Sequence, residues 1–189
     1  KMLYIETLTN PVLKVCDIEA FVGLAKKHNL LLVVDNTFTT PWATNPLDMG
    51  ADVVIHSTTK YLGGHSDIVG GAVLGNKEII AKIFPKKVHF GGSADPHNCY
   101  LLERGVRTLE VRMKAHAENA SELAKRLEGH AKISSVIHPS LSSHPDYEVA
   151  KRIMPNGTGM IAFVVKGGDV AALNFMRNLE IIFEATSLG

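Results

Sequence analysis

The sequence predicts an α/β protein with a mainly parallel sheet, helices on both faces of that sheet, and a smaller C-terminal α/β unit. Short apolar runs alternate with segments whose apolar residues recur at helical spacing, which is the pattern of successive strand and helix units. The runs at residues 30–34 and 53–55 have no polar interruption, as is typical of strands covered on both faces. A chain of 189 residues with 46% hydrophobic residues is long enough to bury a core.

The first four strands are expected at residues 2–5, 30–34, 53–55 and 69–74. Asp17 is a plausible cap for a helix whose apolar stripe starts at Ile18. Asn76 is a plausible cap for a second helix, which we expect Pro85 to end because proline has no backbone N–H to donate. The order of elements therefore alternates strand and helix.

The second half of the chain starts with a long helical stretch over about residues 98–127, interrupted near Gly105 and ended at Gly129. Beyond it we expect strands at residues 133–137, 160–165 and 181–183, with helices at 146–153 and 170–179. We therefore assign residues 1–130 to a large domain with a bridging helix and residues 131–189 to the start of a small domain.

Composition excludes several classes of partner. Twenty basic and nineteen acidic residues leave a net charge of +1, which provides no long-range attraction for nucleic acid or an anionic membrane. The longest apolar runs reach about half of the ~20 residues that a membrane span needs. Cys16 and Cys99 are predicted to be reduced thiols rather than a disulfide, and the expected location is cytoplasmic.

Two polar side chains follow neighbouring predicted strands. Asp35 ends the run 30–34, and Lys60 lies in the polar segment after the run 51–55. Open α/β sheets bind ligands at the carboxyl ends of their strands, so one ligand could meet both groups. Pyridoxal 5'-phosphate (PLP) needs this pair, because its aldehyde forms a Schiff base with a lysine and its ring nitrogen needs an acid to remain protonated.

Each of these residues also has a structural interpretation. Most lysines are solvated surface charges, and an aspartate before Asn-Thr is commonly a turn or cap residue. Ser57 and Thr59 alternate along a segment that we expect to be extended, so their hydroxyls would point to one side and reach one phosphate. Either hydroxyl could instead satisfy backbone groups.

Nine histidines raise the question of a metal site, but no pair has the spacing of a zinc finger or a metalloprotease, and we predict no metal. His138 and His144 lie next to prolines and are expected to face solvent. Trp42 and Phe38 either line the mouth of the site or pack in the core.

Several motifs in order resemble one known family. The strings are Glu6-Thr7-Leu8-Thr9-Asn10-Pro11, Asp35-Asn36-Thr37-Phe38, Gly50-Ala51-Asp52, Ser57-Thr58-Thr59-Lys60-Tyr61, the segment from Arg104 to Met113, and Thr186-Ser187-Leu188-Gly189. Together they resemble the PLP-dependent trans-sulfuration enzymes of cysteine and methionine metabolism, which include cystathionine γ-lyase, cystathionine γ-synthase and methionine γ-lyase. The resemblance covers essentially the whole chain.

The resemblance implies a role for each matching residue. Lys60 is similar to the Schiff-base lysine, Asp35 to the partner of the ring nitrogen, and Ser57 and Thr59 to the hydroxyls that bind the cofactor phosphate. Asn10 resembles an asparagine near the cofactor's phenolic oxygen and the substrate. Ser187 resembles a serine whose segment helps to hold the substrate carboxylate.

The resemblance also implies the aspartate-aminotransferase-like (type I) fold and a homotetramer built from dimers that share active sites. Family members are roughly twice as long, so we expect the chain to be a fragment. The absent portions would carry a phosphate-binding loop, a tyrosine that stacks on the cofactor, a tyrosine and arginine lent by a neighbouring subunit, and a carboxylate-binding arginine.

The predicted reaction is γ-elimination from a sulfur amino acid, with γ-replacement on an acylhomoserine as the alternative and aminotransfer or an inactive relative as remoter ones. The string Gly64-His65-Ser66-Asp67 resembles the cystathionine synthase and lyase branch. The Lys-Asp pair that methionine γ-lyases often carry near His89-Phe90 is not found here. Thr186 stands where cystathionine enzymes often place a glutamate.

Overall fold

The computed structural model describes residues 1–185 and 187–188 of the chain. Its main sheet has the order β1-β2-β3-β4, formed by Met2–Glu6, Leu31–Asp35, Val53–Ser57 and Gly71–Gly75. The first three strands are parallel and β4 runs antiparallel to β3, so the prediction of a mainly parallel sheet is confirmed. A second sheet pairs β5 (Ile133–Ile137) with β6 (Ala162–Val165) in antiparallel fashion.

Seven α-helices connect and flank these strands in the described residues: α1 Ile18–Lys27, α2 Thr40–Ala43, α3 Lys77–His89, α4 Pro96–Val106, α5 Leu109–Leu127, α6 Tyr147–Ile153 and α7 Gly168–Arg177. The predicted caps are confirmed, since the Asp17 side chain accepts from the Ala20 N–H and that of Asn76 from the Ile79 N–H. The interruption predicted near Gly105 separates α4 from α5. None of the helices in the described part of the chain is long and apolar enough to cross a membrane.

The largest core lies between one face of the main sheet and helices α1 and α6. Leu32 and Val34 of β2 are almost fully buried there, with Ile18 of α1 and Ile153 of α6. Successive side chains of a strand point to opposite faces, so Asp35 projects from the face opposite Val34. The core therefore packs against one face of the sheet, and the Asp35 side chain at the end of β2 lies on the opposite face.

Two predicted elements are wrong. Helix α3 does not end at Pro85 but continues to His89. This surface helix has no fully buried residue, and the carbonyl of the exposed Ala81, which Pro85 cannot serve, can bond to water instead. Residues 181–183 form no strand, although the structure describes them. Their apolar side chains are exposed, and no strand among residues 1–185 and 187–188 pairs with this run.

The histidines beside the prolines are buried, so the prediction that they face solvent is also wrong. His138 and His144 are 1% and 6% exposed. In each ring Nδ1 accepts a backbone N–H two residues later, from Ser140 and Asp146. Nε2 then carries the proton and donates to the carbonyl of Thr158 or Leu13. Within residues 1–185 and 187–188, no three His, Cys, Asp or Glu side chains cluster as a metal site would require.

Burial of histidine makes stability depend on pH. Burial lowers the pKa of His138 and of His56, which is 4% exposed, because the charged imidazolium loses its hydration. The unfolded chain, with histidine near its ordinary pKa of about 6.5, then binds protons more readily than the folded chain. This contribution to stability is complete above that pH and is lost as the pH falls below it.

We therefore expect the free energy of unfolding of the apoprotein to fall by up to ~1.4 kcal/mol per pH unit for each such histidine between about pH 6.5 and its lowered folded pKa. Urea unfolding at pH 8.0, 7.0, 6.0 and 5.5 measures this slope. His138→Asn, which cannot titrate, should flatten it, whereas His28→Asn at an exposed position should not. A slope unchanged in His138→Asn would contradict the assignment.

Asn36 connects the ends of β1, β2 and the segment before α2. It is 1% exposed; its Oδ1 accepts from the hydroxyls of Thr7 and Thr39, and its Nδ2 donates to the Thr44 carbonyl at 2.9 Å. Both hydroxyl partners are fully buried. This one side chain satisfies three buried polar groups, one just after β1 and two at the ends of α2.

Asn36→Ala is expected to lower the free energy of unfolding by about 3 kcal/mol, because three buried groups lose their partner at once. Chemical denaturation measures the loss, with the exposed Asn45→Ala as a control that should change stability by less than about 0.5 kcal/mol. Equal stability of the two variants would show that Asn36 is not the hub that its contacts indicate.

Candidate active site

Lys60 lies in a tight turn that directly follows β3, and its own backbone (φ −89°, ψ −137°) forms a kink within that turn. Residues 58–62, here named the lysine turn, are closed by bonds from the Gly63 N–H to the Thr58 carbonyl and from the Gly64 N–H to the Lys60 carbonyl. The extended conformation predicted for this segment is therefore wrong beyond Ser57, because the backbone coils as soon as β3 ends. Strand alternation therefore does not place the hydroxyls of Ser57 and Thr59 on one side.

Lys60 and Asp35 line one small cavity of about 200 Å³ at the carboxyl ends of the parallel strands. Its walls are formed by Glu6, Leu8, Asn10, Asp35, Thr37, Phe38, Ser57 and Lys60. Four of the six residues predicted for the site are in this group. They come from segments up to 50 positions apart, and the parallel arrangement of β1, β2 and β3 brings them together.

Asp35 is held by three hydrogen-bond donors. Oδ1 accepts from the backbone N–H of Thr37 at 3.0 Å and from its hydroxyl at 2.6 Å, and Oδ2 accepts from the Tyr4 hydroxyl at 3.0 Å. The bond from the Thr37 N–H to the Asp35 carboxylate is the turn interaction that the sequence offered as the structural interpretation of this aspartate. The structural and functional interpretations are thus compatible, since the turn fixes the carboxylate at the cavity wall.

The neighbours of Asp35 are held in neutral forms. Partial burial, together with the hydrogen bond to Asp35 and its charge, raises the pKa of Tyr4 to about 12, so the phenol remains a donor. Burial lowers the pKa of His56, outweighing the opposing influences of the Asp35 charge and the Asn36 backbone. At neutral pH, neither Tyr4 nor His56 supplies a charge that would pair with the carboxylate.

Thr59 and Ser187 lie outside the cavity wall and have different surroundings. The Thr59 hydroxyl accepts from the Gly70 N–H at 3.0 Å and donates to the Gly70 carbonyl at 3.3 Å, which is the backbone role left open from the sequence. The Ser187 hydroxyl accepts from Lys60 Nζ at 3.4 Å across 127 positions of sequence. Thr186, whose identity bears on the substrate, lies outside the described residues.

Sequence reasoning assigned no role to Thr37 or Tyr4. The Thr37 hydroxyl also accepts from the Ser57 N–H at 2.9 Å, so one side chain connects the ends of β2 and β3. A threonine two positions after a strand-end aspartate is a recognisable turn signal and could have been found. Tyr4 could not, because its contact with Asp35 depends on the pairing of β1 with β2.

A larger cavity, of about 800 Å³, lies away from these residues. It borders α5 and the segments around His138 and Asn156, and none of the six predicted residues lines it. Trp42 belongs to this larger cavity, whereas Phe38 lines the cavity of Lys60. Size alone would select this larger cavity, whereas an amine and a fixed carboxylate line the smaller one.

The residues of the smaller cavity fit PLP. An amine on one wall matches the cofactor aldehyde, and a carboxylate whose oxygens are fixed by three donors matches a protonated ring nitrogen. Ser57 adds a hydroxyl at the same wall. The Thr59 hydroxyl can keep accepting from the Gly70 N–H and turn its proton from the Gly70 carbonyl toward a phosphate oxygen.

Comparison with known proteins agrees with this arrangement. The family model described as "Cys/Met metabolism PLP-dependent enzyme" matches residues 1–189. Cystathionine gamma-lyase of Dictyostelium discoideum is 45% identical over all of this chain and 49% of its own length. L-methionine gamma-lyase of Porphyromonas gingivalis is 43% identical over all of this chain and 48% of its own length.

A solved structure with the same fold is cystathionine gamma synthase from Xanthomonas oryzae pv. oryzae, in complex with aminoacrylate and cysteine. It superposes with a TM-score of 0.97 at 41% sequence identity and covers 100% of this chain and 49% of its own. The chain spans about half the length of the curated relatives that it matches. The predicted fold class is confirmed by this superposition.

Proposed function

This chain belongs to the family of PLP-dependent enzymes of cysteine and methionine metabolism, and from that premise we propose that the protein is a carbon–sulfur lyase. Its substrates would be sulfur amino acids of the cystathionine or methionine type, cleaved by γ-elimination. The observation that carries the proposal is the placement of Lys60 and Asp35 on the wall of one cavity. It supports a single ligand held by both groups.

Bound PLP would supply an electron-accepting ring that stabilises negative charge at the substrate α-carbon. Lys60 would bind the cofactor covalently and, once released by the incoming amino group, take the α proton as a general base. The same amine would then return that proton. Contact of Lys60 Nζ with the Ser187 hydroxyl supports this role, because it orients the amine beside the segment proposed to hold the substrate carboxylate.

Asp35 would hold the proton on the cofactor ring nitrogen through its negative charge. Thr37 and Tyr4 support this role because their three donors fix both carboxylate oxygens. Ser57 and Thr59 would bind the phosphate, and Asn10, which lines the cavity, would contact the cofactor or substrate. The Thr59 role requires the rotation of its hydroxyl away from the Gly70 carbonyl.

A second candidate is γ-replacement on an acylhomoserine, as in a cystathionine γ-synthase. The observation in its favour is the TM-score of 0.97 to two solved cystathionine gamma synthase structures from Xanthomonas oryzae pv. oryzae. Elimination and replacement use the same groups of this chain for the first proton transfer and differ in what attacks afterwards. Water leads to a 2-oxo acid and ammonia, whereas a thiol nucleophile leads to a thioether.

Product analysis of the purified protein with PLP separates these reactions. We expect cystathionine or methionine to yield a 2-oxo acid, ammonia and a thiol. A thioether formed only from an acylhomoserine and cysteine would replace the lyase by the synthase assignment. Exchange of the amino group without release of thiol would indicate an aminotransferase, and the absence of an imine absorbance band with PLP would end the catalytic proposal.

The proposal extends to the assembly, the location and the division of the chain. We propose a cytoplasmic homotetramer built from dimers that share active sites, and a small domain that starts near residue 131. Sedimentation of the active protein tests the assembly. A strictly monomeric active species would contradict it.

A further inference from the structure

The segment from Arg104 to Met113 has no role in the function proposed above, yet it packs directly against the lysine turn. Arg112 of α5 donates from Nη1 to the carbonyl of Tyr61, the residue after Lys60, at 2.9 Å. Its Nη2 donates to the Gly105 carbonyl at 2.9 Å, and its Nε to the Thr108 hydroxyl at 3.0 Å. One planar guanidinium therefore joins the lysine turn, the end of α4 and the start of α5.

The backbones around this guanidinium approach too closely for side chains. A Cβ on Gly105 would lie 2.2 Å from the Gly63 carbonyl oxygen. Gly64 has a φ of +67°, and a Cβ there would lie 2.0 Å from Nη1 of Arg112. Glycine at these positions lets the end of α4 and the guanidinium reach the backbone that follows Lys60.

The side chain of Tyr61 is anchored to the same helix. It is 3% exposed and packs with Leu109 and Met113 of α5, so both its ring and its carbonyl are held. Partial burial lowers the pKa of Arg112, because the guanidinium gives up hydration for carbonyl and hydroxyl acceptors. Among the described residues, no carboxylate forms an ion pair with Arg112. The guanidinium therefore donates its hydrogen bonds to two backbone carbonyls and the Thr108 hydroxyl.

We propose that Arg112 is a positioning residue for Lys60. By fixing the Tyr61 carbonyl and the lysine turn against α4 and α5, it sets the direction in which the Lys60 side chain enters the cavity. The inference rests on the proposed role of Lys60 as the residue that binds PLP. Lysine could not replace Arg112, because one ammonium cannot present the same planar fork to three acceptors.

The test is the rate at which PLP becomes covalently attached to Lys60 in the purified apoprotein, measured by borohydride trapping and the mass of the peptide that contains residue 60. We expect Arg112→Ala to slow attachment about tenfold or more, because a misdirected amine loses its attack geometry. Millimolar guanidinium should raise the attachment rate of Arg112→Ala at least about threefold, because it can occupy the place of the missing side chain. Sodium chloride at equal ionic strength should not raise that rate.

Arg107→Ala is the matched control, because Arg107 belongs to the same motif but is exposed, and within the described part of the chain its guanidinium pairs with Glu103 rather than with the lysine turn. It should attach PLP at the wild-type rate and gain nothing from guanidinium. Attachment by folded Arg112→Ala at the wild-type rate would overturn the inference. So would guanidinium acceleration of equal size in the Arg107 variant.

Two further variants decide the question if Arg112→Ala does not fold. Arg112→Lys keeps the charge and Gly64→Ala keeps the arginine while pushing the guanidinium aside, and both should slow attachment without rescue by guanidinium. Wild-type rates in both would overturn the inference. Failure of the proposed function is distinguishable, because PLP would then attach to a residue other than Lys60 in the wild-type protein.

Discussion

Replacement of Lys60 by alanine is expected to lower kcat/KM for elimination from a sulfur amino acid by at least about 10³-fold, because one side chain supplies both the covalent anchor and the proton carrier. The cavity also contains Glu6 and Asp35, but both are carboxylates and neither can form the linkage to an aldehyde. Borohydride trapping should recover no cofactor on the peptide that contains residue 60.

The matched control for this variant is Lys77→Ala, which removes an exposed lysine at the start of α3. It should keep wild-type kinetics and the wild-type mass of the trapped peptide. A primary amine added to Lys60→Ala should restore part of the proton transfer, since the cavity retains Asp35 and Ser57. Activity of Lys60→Ala within about tenfold of wild type would remove Lys60 from the chemistry.

Asp35→Asn is expected to lower kcat about 10²- to 10³-fold, with a smaller change in the dissociation constant of PLP. Asparagine has the same shape, and its carbonyl can still accept from Thr37. What it lacks is the negative charge that keeps the ring nitrogen protonated. Steady-state kinetics and a PLP titration, followed by absorbance, separate the two effects.

Two variants serve as controls for the loss of charge. Asp52→Asn changes another strand-associated aspartate, whose Oδ2 accepts from the Leu32 N–H, and asparagine can still accept there. It should leave kcat unchanged. Thr37→Val removes the hydroxyl bond to Asp35 but keeps the negative charge. Its kcat should lie between those of Asp35→Asn and Asp52→Asn. Equal kcat in Asp35→Asn and wild type would show that the carboxylate does not face the ring nitrogen.

Much of the site could be predicted because its chemistry follows strand ends. Asp35 directly follows one apolar run and Lys60 lies in the polar segment after the next, and parallel strands bring their carboxyl ends to one edge. The cavity shared by Lys60, Asp35, Ser57 and Asn10 agrees with that rule. Their roles remain predictions, which the variants above test.

Other features could not be predicted because they depend on contacts between distant segments. The lysine turn coils instead of extending, because its own backbone hydrogen bonds close it, and Arg112 from α5 also donates to the Tyr61 carbonyl. Helix α3 tolerates Pro85 because it lies at the surface. His138 and His144 are buried because backbone groups on other segments satisfy their rings, which no spacing of prolines reveals.

The sequence by itself determined the alternation of strands and helices, through local hydrophobic periodicity, and the family, through the resemblance of its ordered motifs. It also placed an amine and a carboxylate after neighbouring strands, because residue types at strand ends can be read directly. Only the tertiary structure decided that Tyr4 and Thr37 fix Asp35, that Ser187 reaches Lys60, and that Arg112 holds the turn between them. Hydrogen bonds between segments form only after the sheet has set their register, and register is a property of paired strands rather than of any one of them.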